Sequence, residues 1–343
     1  MPPHIRAISS HFPKKKMSNI ELASELNSWT AEKIFEKTGI ESRFVSDEGE
    51  TAGDLAVQAA SKLFDHGVVQ RADIDMVILC SQSPDYFLPS TACVVHKKLG
   101  LPTTCGAFDF NLGCSGYVYG LAIAKGFVEA GVARTILLLT ADTYTKYIHQ
   151  SDRSVRTLFG DGAAATLIEA NDSCGSIGSF VLGTDGSGVE HLIVPAGGAR
   201  LPLSSQTACE IKDASGNIRS KNNLFMNGAE VFNFTVSEVP GLVQRTLERN
   251  NETIESIDYF VFHQANSYML GHLQKKCLIP DKKFCQNMKN FGNTVSSTIP
   301  IAINESVKNG SIKGDNTICL IGFGVGYSWG GVTVELGKDF VCI

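Results

Sequence analysis

The sequence predicts an α/β protein composed of two similar halves. Helix-like and strand-like segments alternate along most of the 343 residues, which is typical of α/β layering. Short segments of the first half recur in the second half, in the same order and at nearly constant spacing, which indicates an internal duplication. Apolar residues make up 43% of the chain and charged residues only 19%, so we expect a large core and a buried subunit interface.

The first half begins with helix and strand patterns in alternation. Thr51 to Asp65 has the periodicity of an amphipathic helix, and Met76 to Cys80 reads as an apolar strand. A second helix over Ser90 to Leu99 and a short strand over Ala107 to Phe110 follow. The same order continues towards the middle of the chain.

The next segments are a longer helix and a strongly apolar strand. Ser115 to Ala130 is predicted to be helical, with Gly131 as its C-cap. Thr135 to Thr140 is too apolar for anything but a buried strand, and Ala163 to Glu169 forms another strand. From Ser187 to Asn223 the pattern dissolves into polar residues, glycine and proline, so we expect a lid or a linker there.

Two strand segments carry the duplication. Ala72 to Leu79 resembles Glu255 to Phe262, and Ala133 to Leu138 resembles Asp315 to Leu320, each at an offset of about 180 residues. A third match at this spacing, between two glycines that end helices, argues against chance agreement. The chain is therefore predicted to consist of two α/β halves packed together.

Composition argues against several classes of function. The formal net charge is −5, whereas binding to nucleic acid requires a basic face. No apolar run reaches the roughly 18–20 residues that cross a bilayer, and the first residues do not resemble a secretory signal. The cysteines form no CxxC pair, so neither a zinc site nor a redox motif is predicted. We expect a reduced, cytoplasmic protein.

Cys114 follows a predicted strand and opens a predicted helix. A thiol at a helix N-terminus faces unpaired N–H groups and the positive end of the helix dipole, which lowers its pKa. The adjacent Gly113 and Gly116 would let a substrate approach the backbone closely. Position alone leaves two interpretations open, a nucleophile or a small residue packed in a tight turn.

His263 and Asn293 occupy informative places in the second half. His263 ends the strand Tyr259 to Phe262, where α/β proteins place site residues, although a buried structural histidine fits equally well. Asn293 lies as far beyond Cys114 as one helix-ending glycine lies beyond the other. It can be an N-cap asparagine, but the duplication favours a position where Asn293 and Cys114 face one shared cavity.

Two glycine-rich segments only partly resemble ligand-binding loops. Gly324 to Gly330 follows a strand, as a dinucleotide loop does, but Val332 to Leu336 continues as a strand where a helix is required. Gly160 to Gly162 could hold a phosphate, although such a segment is more often a tight turn. A nicotinamide site is therefore not expected.

With their neighbours, Cys114, His263 and Asn293 resemble the beta-ketoacyl-acyl-carrier-protein synthase III branch of the thiolase-fold condensing enzymes. The likeness covers nearly the whole chain. Its motifs, in order, are Thr38-Gly39-Ile40, Pro89-Ser90-Thr91-Ala92, Cys114-Ser115-Gly116, Phe159-Gly160-Asp161-Gly162-Ala163, His263-Gln264-Ala265-Asn266, Gly292-Asn293-Thr294 and Trp329-Gly330. The resemblance implies a thiolase-like α/β fold, in which the duplicated halves 1–172 and 173–343 pack into a five-layered αβαβα core.

The resemblance also implies a decarboxylating Claisen condensation, in fatty-acid synthesis or a related lipid or secondary-metabolite pathway. Cys114 would accept the acyl group of an acyl-coenzyme A primer. His263 and Asn293 would bind the thioester carbonyl of malonyl-acyl-carrier-protein, and backbone N–H groups of Cys114 and Val325 would hold the tetrahedral oxyanion. The implied enzyme is a homodimeric acyltransferase that needs neither a metal nor a cofactor.

Contacts to the two substrates follow from the same resemblance. Lys37 and Arg153 would contact coenzyme A, and Lys275 and Lys276 would dock the acyl carrier protein. Leu88 stands where a residue of the partner subunit closes the acyl pocket in this family.

Several positions depart from the family's pattern. Lys33 replaces a tryptophan that stacks on adenine, Tyr268 and Asn233 replace basic residues of the docking face, and Val325 replaces a glycine. These changes leave the condensing residues intact but put the substrates in question. Two alternatives therefore stay open: transfer of the acyl group from the cysteine to a hydroxyl or amine, and a non-catalytic partner subunit of a heteromeric synthase.

Overall fold

The chain forms two mixed β-sheets separated by a central layer of helices. The computed structural model describes residues 2–26, 29–170 and 175–343. Its strands are β1 (Pro3–His11), β2 (Lys15–Ser18), β3 (Ser42–Val45), β4 (Met76–Cys80), β5 (Gly106–Phe110), β6 (Thr135–Asp142), β7 (Gly162–Ala170), β8 (Ser176–Ile177), β9 (Val181–Thr184), β10 (Leu192–Ile193), β11 (Ile211–Lys212), β12 (Ile218–Arg219), β13 (Phe225–Met226), β14 (Tyr259–Phe262), β15 (Thr317–Gly324), β16 (Ser328–Glu335) and β17 (Val341–Cys342). Its α-helices are α1 (Asn19–Leu26), α2 (Ala31–Thr38), α3 (Ala52–His66), α4 (Thr91–Leu99), α5 (Gly116–Glu129), α6 (Arg153–Arg156), α7 (Gly228–Arg249), α8 (Ser267–Lys276) and α9 (Thr298–Lys308).

The two sheets repeat one pairing pattern, as the duplicated sequence predicts. In the first sheet β4 runs parallel to β6, with Met76 opposite Ile136, and β6 runs antiparallel to β7. In the second sheet β14 runs parallel to β15, with Tyr259 opposite Ile318, and β15 runs antiparallel to β16. Met76 and Tyr259 are the positions that the sequence repeat equates, so the duplication extends to the register of the strands.

Three apolar clusters hold five layers together. Helices α5 and α9 lie between the sheets, where Tyr117 and Leu121 of α5 and Ile299 and Ile303 of α9 are buried. Helices α3 and α4 cover the outer face of the first sheet, while α7 and α8 cover that of the second. None of the helices in the described ranges is both long and apolar enough to cross a membrane. Burial of apolar side chains on both faces of each sheet produces the expected αβαβα order.

The predicted elements of the first half match the observed ones within one residue at either end, except at β6. This strand runs on to Asp142, past the predicted end at Thr140. Asp142 is fully buried. Its carboxylate accepts hydrogen bonds from the backbone N–H groups of Gln82 and Ser296, which offset the cost of burying it. Partners so distant in sequence leave no local signal, so the pattern of the strand alone could not show its true end.

The polar segment 187–223 covers the interior rather than joining the halves. Leu192 of this segment packs in one cluster with Cys114. The chain has already entered the second sheet at β8, so the lid interpretation is favoured over the linker. The predicted boundary between residues 172 and 173 lies outside the described residues. At the other end of the chain, β17 returns to the first sheet beside β1.

Candidate active site

Cys114 lies in the turn between β5 and α5. Its side chain is 5% exposed, and two backbone N–H groups, its own and that of Val325, point at the sulfur. Gly324 makes this approach possible, because a Cβ at that position would lie 2.7 Å from the sulfur. The thiol of the first half therefore meets the end of β15 from the second half.

The Cys114 thiol is protonated at neutral pH. Burial raises its pKa to about 12, although the two N–H groups oppose this effect, and the Asp142 carboxylate raises the pKa further. The Cys114 N–H at the helix N-terminus does lower this pKa, but the loss of water around the sulfur dominates, so the predicted net decrease is wrong. The thiol must therefore release its proton in the course of any attack on an acyl donor.

His263 directly follows β14 and is buried and neutral. Burial lowers the pKa of its imidazole to about 3, so the ring carries no charge near neutral pH. Its Nδ1 lies 2.7 Å from Oγ1 of Thr298, and its Nε2 lies 3.4 Å from the side-chain nitrogen of Asn293. Sequence reasoning missed Thr298, whose only signal is its place at the start of the helix that follows Asn293.

Hydrogen bonds fix both the backbone and the side chain of Asn293. Its backbone N–H and carbonyl pair with residues 158–160, at 2.9 and 3.0 Å. Its side-chain Oδ1 accepts from the backbone N–H of Val295 at 2.9 Å, so Nδ2 is the end that faces His263. Asn293 is not the N-cap of α9, which begins only at Thr298, although its side chain accepts from the first N–H of the 3₁₀ turn Val295–Ser297 that leads into this helix.

Cys114, His263 and Asn293 line one cleft of about 580 Å³, its open mouth included. Apolar side chains such as Phe159 form much of the remaining wall, which excludes water and strengthens polar interactions inside. Two pairs of polar groups face this space. The first pair is the N–H groups of Cys114 and Val325 at the thiol, and the second is the side chains of His263 and Asn293. Paired donors of this kind stabilise an oxyanion.

A hollow connects the cleft with the surface beside Trp29. The cleft and the hollow have lining residues in common, and Trp29 and Lys37 lie at the outer end. The ammonium groups of Lys33 and Lys37 each lie 5.5 Å from the centre of the Trp29 ring. Sequence reasoning missed Trp29, although its spacing of four residues to Lys33 and again to Lys37 was a visible signal.

Two of the predicted contact residues lie apart from the cleft. The guanidinium of Arg153 donates to the backbone carbonyl of Ser215, and Arg153 is not one of the residues that line the hollow. Its contact with coenzyme A stays a prediction. Leu88 is 83% exposed and does not line the cleft of its own chain, which is compatible with a role in a partner subunit.

Helix α8 presents part of the predicted docking face. Lys275 is exposed at the end of the helix, and Tyr268 is 66% exposed at its start. The Lys276 ammonium, by contrast, donates to the backbone carbonyl of Val236 at 2.6 Å. The two lysines therefore differ in how freely they can meet a partner.

The two glycine-rich segments have structural roles. The N–H of Gly160 donates to the Asn293 carbonyl and that of Asp161 donates to the Phe44 carbonyl. Residues 160–162 therefore support Asn293 and lead directly into β7, without the tight turn that the sequence suggested. Segment 324–330 leads into β16, as the sequence predicts.

Comparisons with known proteins agree with this geometry. Residues 108–186 match the model of the family described as 3-oxoacyl-[acyl-carrier-protein] synthase III, and residues 247–336 match the model of its C-terminal region. The chain is 35% identical to a beta-ketoacyl-[acyl-carrier-protein] synthase III of Caldanaerobacter subterraneus, over 97% of this chain and 98% of that protein. It is 37% identical to the protein of the same name from Lactococcus lactis, over 97% and 98% of the two chains.

Solved structures extend the likeness to three dimensions. A crystal structure of a 3-oxoacyl-(acyl-carrier-protein) synthase III superposes with a TM-score of 0.96 at 51% identity, and the match covers 98% of this chain and 100% of that one. A 3-oxoacyl-(acyl-carrier protein) synthase from Burkholderia xenovorans superposes with a TM-score of 0.89 at 35% identity, over 99% and 97% of the two chains. The predicted fold is confirmed, and the chain belongs to the 3-oxoacyl-[acyl-carrier-protein] synthase III family.

Proposed function

We propose that this protein catalyses a decarboxylating Claisen condensation between an acyl-coenzyme A primer and malonyl-acyl-carrier-protein. The products are a 3-oxoacyl thioester, carbon dioxide and free coenzyme A. The observation that carries the proposal is the convergence of Cys114, His263 and Asn293, from separate segments, on one cleft with two pairs of polar groups. Family membership supports the same reaction class.

In the first half-reaction the Cys114 sulfur attacks the carbonyl carbon of the acyl thioester. The carbonyl oxygen becomes an oxyanion, which the N–H groups of Cys114 and Val325 stabilise. Collapse of this intermediate breaks the bond between the carbonyl carbon and the coenzyme A sulfur. The thiol proton leaves with that sulfur, so the products are acyl-Cys114 and coenzyme A.

In the second half-reaction the thioester oxygen of the malonyl group lies between His263 and Asn293. Carbon dioxide leaves, and the electron pair of the broken carbon–carbon bond forms an enolate whose oxygen these two side chains stabilise. The enolate carbon then attacks the acyl group, and the sulfur of Cys114 departs and regains a proton. The low pKa of His263 suits this role, because a neutral imidazole donates a hydrogen bond without releasing its proton.

The hollow beside Trp29 supplies groups that suit coenzyme A. The Trp29 ring can stack on an adenine base, and the ammonium groups of Lys33 and Lys37 attract phosphates. The path from this hollow to Cys114 suits the long arm that carries the thioester. At the end of α8, the exposed Lys275 provides positive charge for an acidic carrier protein.

We also infer that the protein acts as a homodimer in the cytoplasm. Within the described residues, strand β17 lies at one edge of the first sheet and β5 lies at the other. Nearby in sequence, Tyr86, Phe87 and Leu88 are 60%, 89% and 83% exposed. An open sheet edge and an exposed apolar patch are features of an interface, and Leu88 would then close the acyl cavity of the partner. The free cysteines of the described chain suit a reducing compartment.

Intact-mass measurement tests the first half-reaction. The protein is mixed with a panel of acyl-coenzyme A thioesters, and we expect one acyl adduct that is absent from Cys114→Ala. Cys93→Ala removes an exposed thiol and serves as the matched control, which should acylate as the parent does. An adduct that persists in Cys114→Ala would overturn the assignment of the nucleophile.

Product analysis tests the second half-reaction. Addition of malonyl-acyl-carrier-protein to the acylated enzyme should release carbon dioxide and a 3-oxoacyl thioester in equal amounts. Loss of the acyl adduct to a hydroxyl or amine acceptor, without carbon dioxide release, would instead support the alternative acyl transfer. No adduct from any primer would favour a non-catalytic subunit.

A further inference from the structure

A second cavity adjoins the nucleophile and, among the described residues, shares no lining residue with the hollow beside Trp29. It measures about 760 Å³ with its mouth, and Val325 and Gly326, beside the Cys114 thiol, form one of its walls. Leu192 separates it from the catalytic cleft, since this residue lines both spaces. If coenzyme A enters from Trp29, this cavity is a space beyond Leu192 and Val325 that the acyl chain can enter. This inference therefore rests on the proposed function.

The wall of this cavity contains a connected chain of polar side chains. The phenol of Tyr144 donates to Oε1 of Gln82 at 2.6 Å, and Nε2 of Gln82 donates to Oδ1 of Asn111 at 3.0 Å. The backbone N–H of Gln82 donates to Asp142 at 2.8 Å, and its carbonyl accepts from the Tyr147 phenol at 3.3 Å. In this arrangement the Gln82 amide oxygen faces Tyr144 and its amide nitrogen faces Asn111.

The polar chain begins next to the reacting sulfur. Oε1 of Gln82 lies 2.5 Å from the place where a Cβ on Gly113 would be, and Gly113 immediately precedes Cys114. Tyr144 is buried in the same apolar cluster as Cys114. Burial, and then the charge of Asp142, raises the pKa of Tyr144 well above its usual value, so this phenol stays a donor.

Hydrogen-bonding capacity remains free in the cavity. An amide has two N–H donors and two acceptor lone pairs on its oxygen. Gln82 uses one N–H for Asn111 and accepts one bond from Tyr144. Asn111 is exposed at the edge of the cavity and accepts the bond from Gln82 through Oδ1, so its Nδ2 is left for solvent or a ligand. A purely aliphatic chain in this space would displace water from these groups without replacing its hydrogen bonds, which costs free energy.

The other walls define the remaining properties of the ligand. Val194, Leu192 and Leu224 contribute apolar surface, which suits methylene groups. None of the cavity-lining residues in the described chain is lysine or arginine, so a carboxylate on the acyl chain would remain unpaired. A neutral oxygen on a short chain satisfies both the amides and the apolar walls.

We propose that the preferred primer is a short acyl-coenzyme A whose chain carries a hydroxyl group, and that Gln82 and Asn111 recognise this hydroxyl. The amide oxygen of Gln82 accepts from it, and the free amide N–H groups donate to it. The same polar chain makes an unsubstituted aliphatic primer of equal length a poorer substrate.

Acylation rates of matched primers test this proposal. Butanoyl-, 3-hydroxybutanoyl- and 4-hydroxybutanoyl-coenzyme A are compared by time-resolved intact mass, with acetyl-coenzyme A as an internal control because its chain is too short to need the hydroxyl site. We expect at least one hydroxylated primer to acylate Cys114 about tenfold faster than butanoyl-coenzyme A, which is the effect of one good hydrogen bond.

Two variants assign the preference to named residues. Asn111→Leu and Gln82→Met should each lose the preference for the hydroxylated primer, measured within each variant as the ratio of that primer's acylation rate to that of butanoyl-coenzyme A. Equal or faster acylation of the parent protein by butanoyl-coenzyme A, with acetyl-coenzyme A active, would overturn the inference alone. Absence of any adduct, from acetyl-coenzyme A as well, would overturn the proposed function and the inference with it.

Discussion

The hydroxyl oxygen of Thr298 lies 2.7 Å from Nδ1 of His263 and 3.0 Å from the carbonyl oxygen of Val295. A hydroxyl has a single proton, so it can donate to only one of these two acceptors. Donation to Nδ1 leaves the imidazole proton on Nε2, beside the Asn293 amide. Donation to Val295 would move that proton to Nδ1 and leave Nε2 without one. In this structure the hydroxyl donates to Val295, whereas the proposed reaction requires donation to Nδ1. Thr298 must therefore turn its proton to His263, which makes it a positioning residue.

Thr298→Val should slow condensation and leave acylation unchanged. Without the hydroxyl, Nδ1 loses its hydrogen-bond donor. The imidazole tautomer that carries the proton on Nε2 is then no longer favoured. We expect condensation to fall by about tenfold to a hundredfold, approaching the loss of one oxyanion donor. Release of 3-oxoacyl product and intact-mass acylation are measured in parallel, and Thr298→Ser, which keeps the hydroxyl, should retain most of the rate. An equal loss in both half-reactions would contradict a role through His263.

Asn293→Asp should abolish decarboxylation at almost constant side-chain volume. The carboxylate keeps an acceptor for the Val295 N–H but replaces the donor that faces His263 with an oxygen. A negative oxygen at that place repels the enolate, so carbon dioxide release should fall by about a hundredfold or more. The exposed Asn290 lies in the same loop, and Asn290→Asp is the control that should behave as the parent. Unchanged carbon dioxide release from Asn293→Asp would exclude this side chain from the oxyanion site.

The positions of the site residues can be predicted from the sequence, whereas the groups that surround their side chains cannot. Cys114, His263 and Asn293 were singled out because each follows a strand or stands at a repeated offset, and the family resemblance then supplied their roles. The environment of the thiol is not local, since Val325, Gly324 and Asp142 come from distant segments that meet only in the packed core. This is why the direction of the Cys114 pKa was predicted wrongly. The repeat in the sequence, by contrast, is matched in the register of the strands.

Trp29→Ala should weaken binding of coenzyme A thioesters specifically. If the ring stacks on adenine, its loss should raise the half-saturating concentration of acyl-coenzyme A by about tenfold, the effect of a lost stacking interaction of 1–2 kcal/mol. Acylation by an acyl N-acetylcysteamine thioester, which lacks the nucleotide, should not change. The control Phe35→Ala removes a partly exposed aromatic ring of α2 that does not line the hollow. Equal losses with both thioesters would show that Trp29 acts on the fold of the site instead.

Gly324→Ala should damage both stability and acylation. The added methyl would lie 2.6 Å from Cβ and 2.7 Å from the sulfur of Cys114, so either β15 or the nucleophile turn must shift. Overpacking of this kind costs about 1–3 kcal/mol, and a displaced nucleophile reduces the acylation rate by about a hundredfold.

The control variant is Gly271→Ala in α8, where a Cβ meets nothing within 4 Å. It should instead stabilise the protein by about 0.5–1 kcal/mol. Chemical denaturation and intact mass together measure the two effects, and normal acylation by Gly324→Ala would show that the turn has more freedom than the contacts indicate.

The burial of His263 should make folding stability depend on pH. Its pKa is about 3 in the folded protein against an ordinary value of 6.5, so below pH 6.5 the unfolded chain binds a proton that the folded protein does not. The free energy of unfolding therefore declines as the pH falls from 6.5 towards 3, by about 1.4 kcal/mol for each pH unit. His263→Gln removes this contribution, so between pH 7 and pH 4.5 the variant should lose about 2.5 kcal/mol less stability than the parent. Asp142, whose pKa burial raises to about 7, favours the folded state on acidification, but it is present in both proteins and leaves their difference unchanged. Denaturant titrations at the two pH values give that difference, and parallel declines would mean that the imidazole is protonated inside the folded protein.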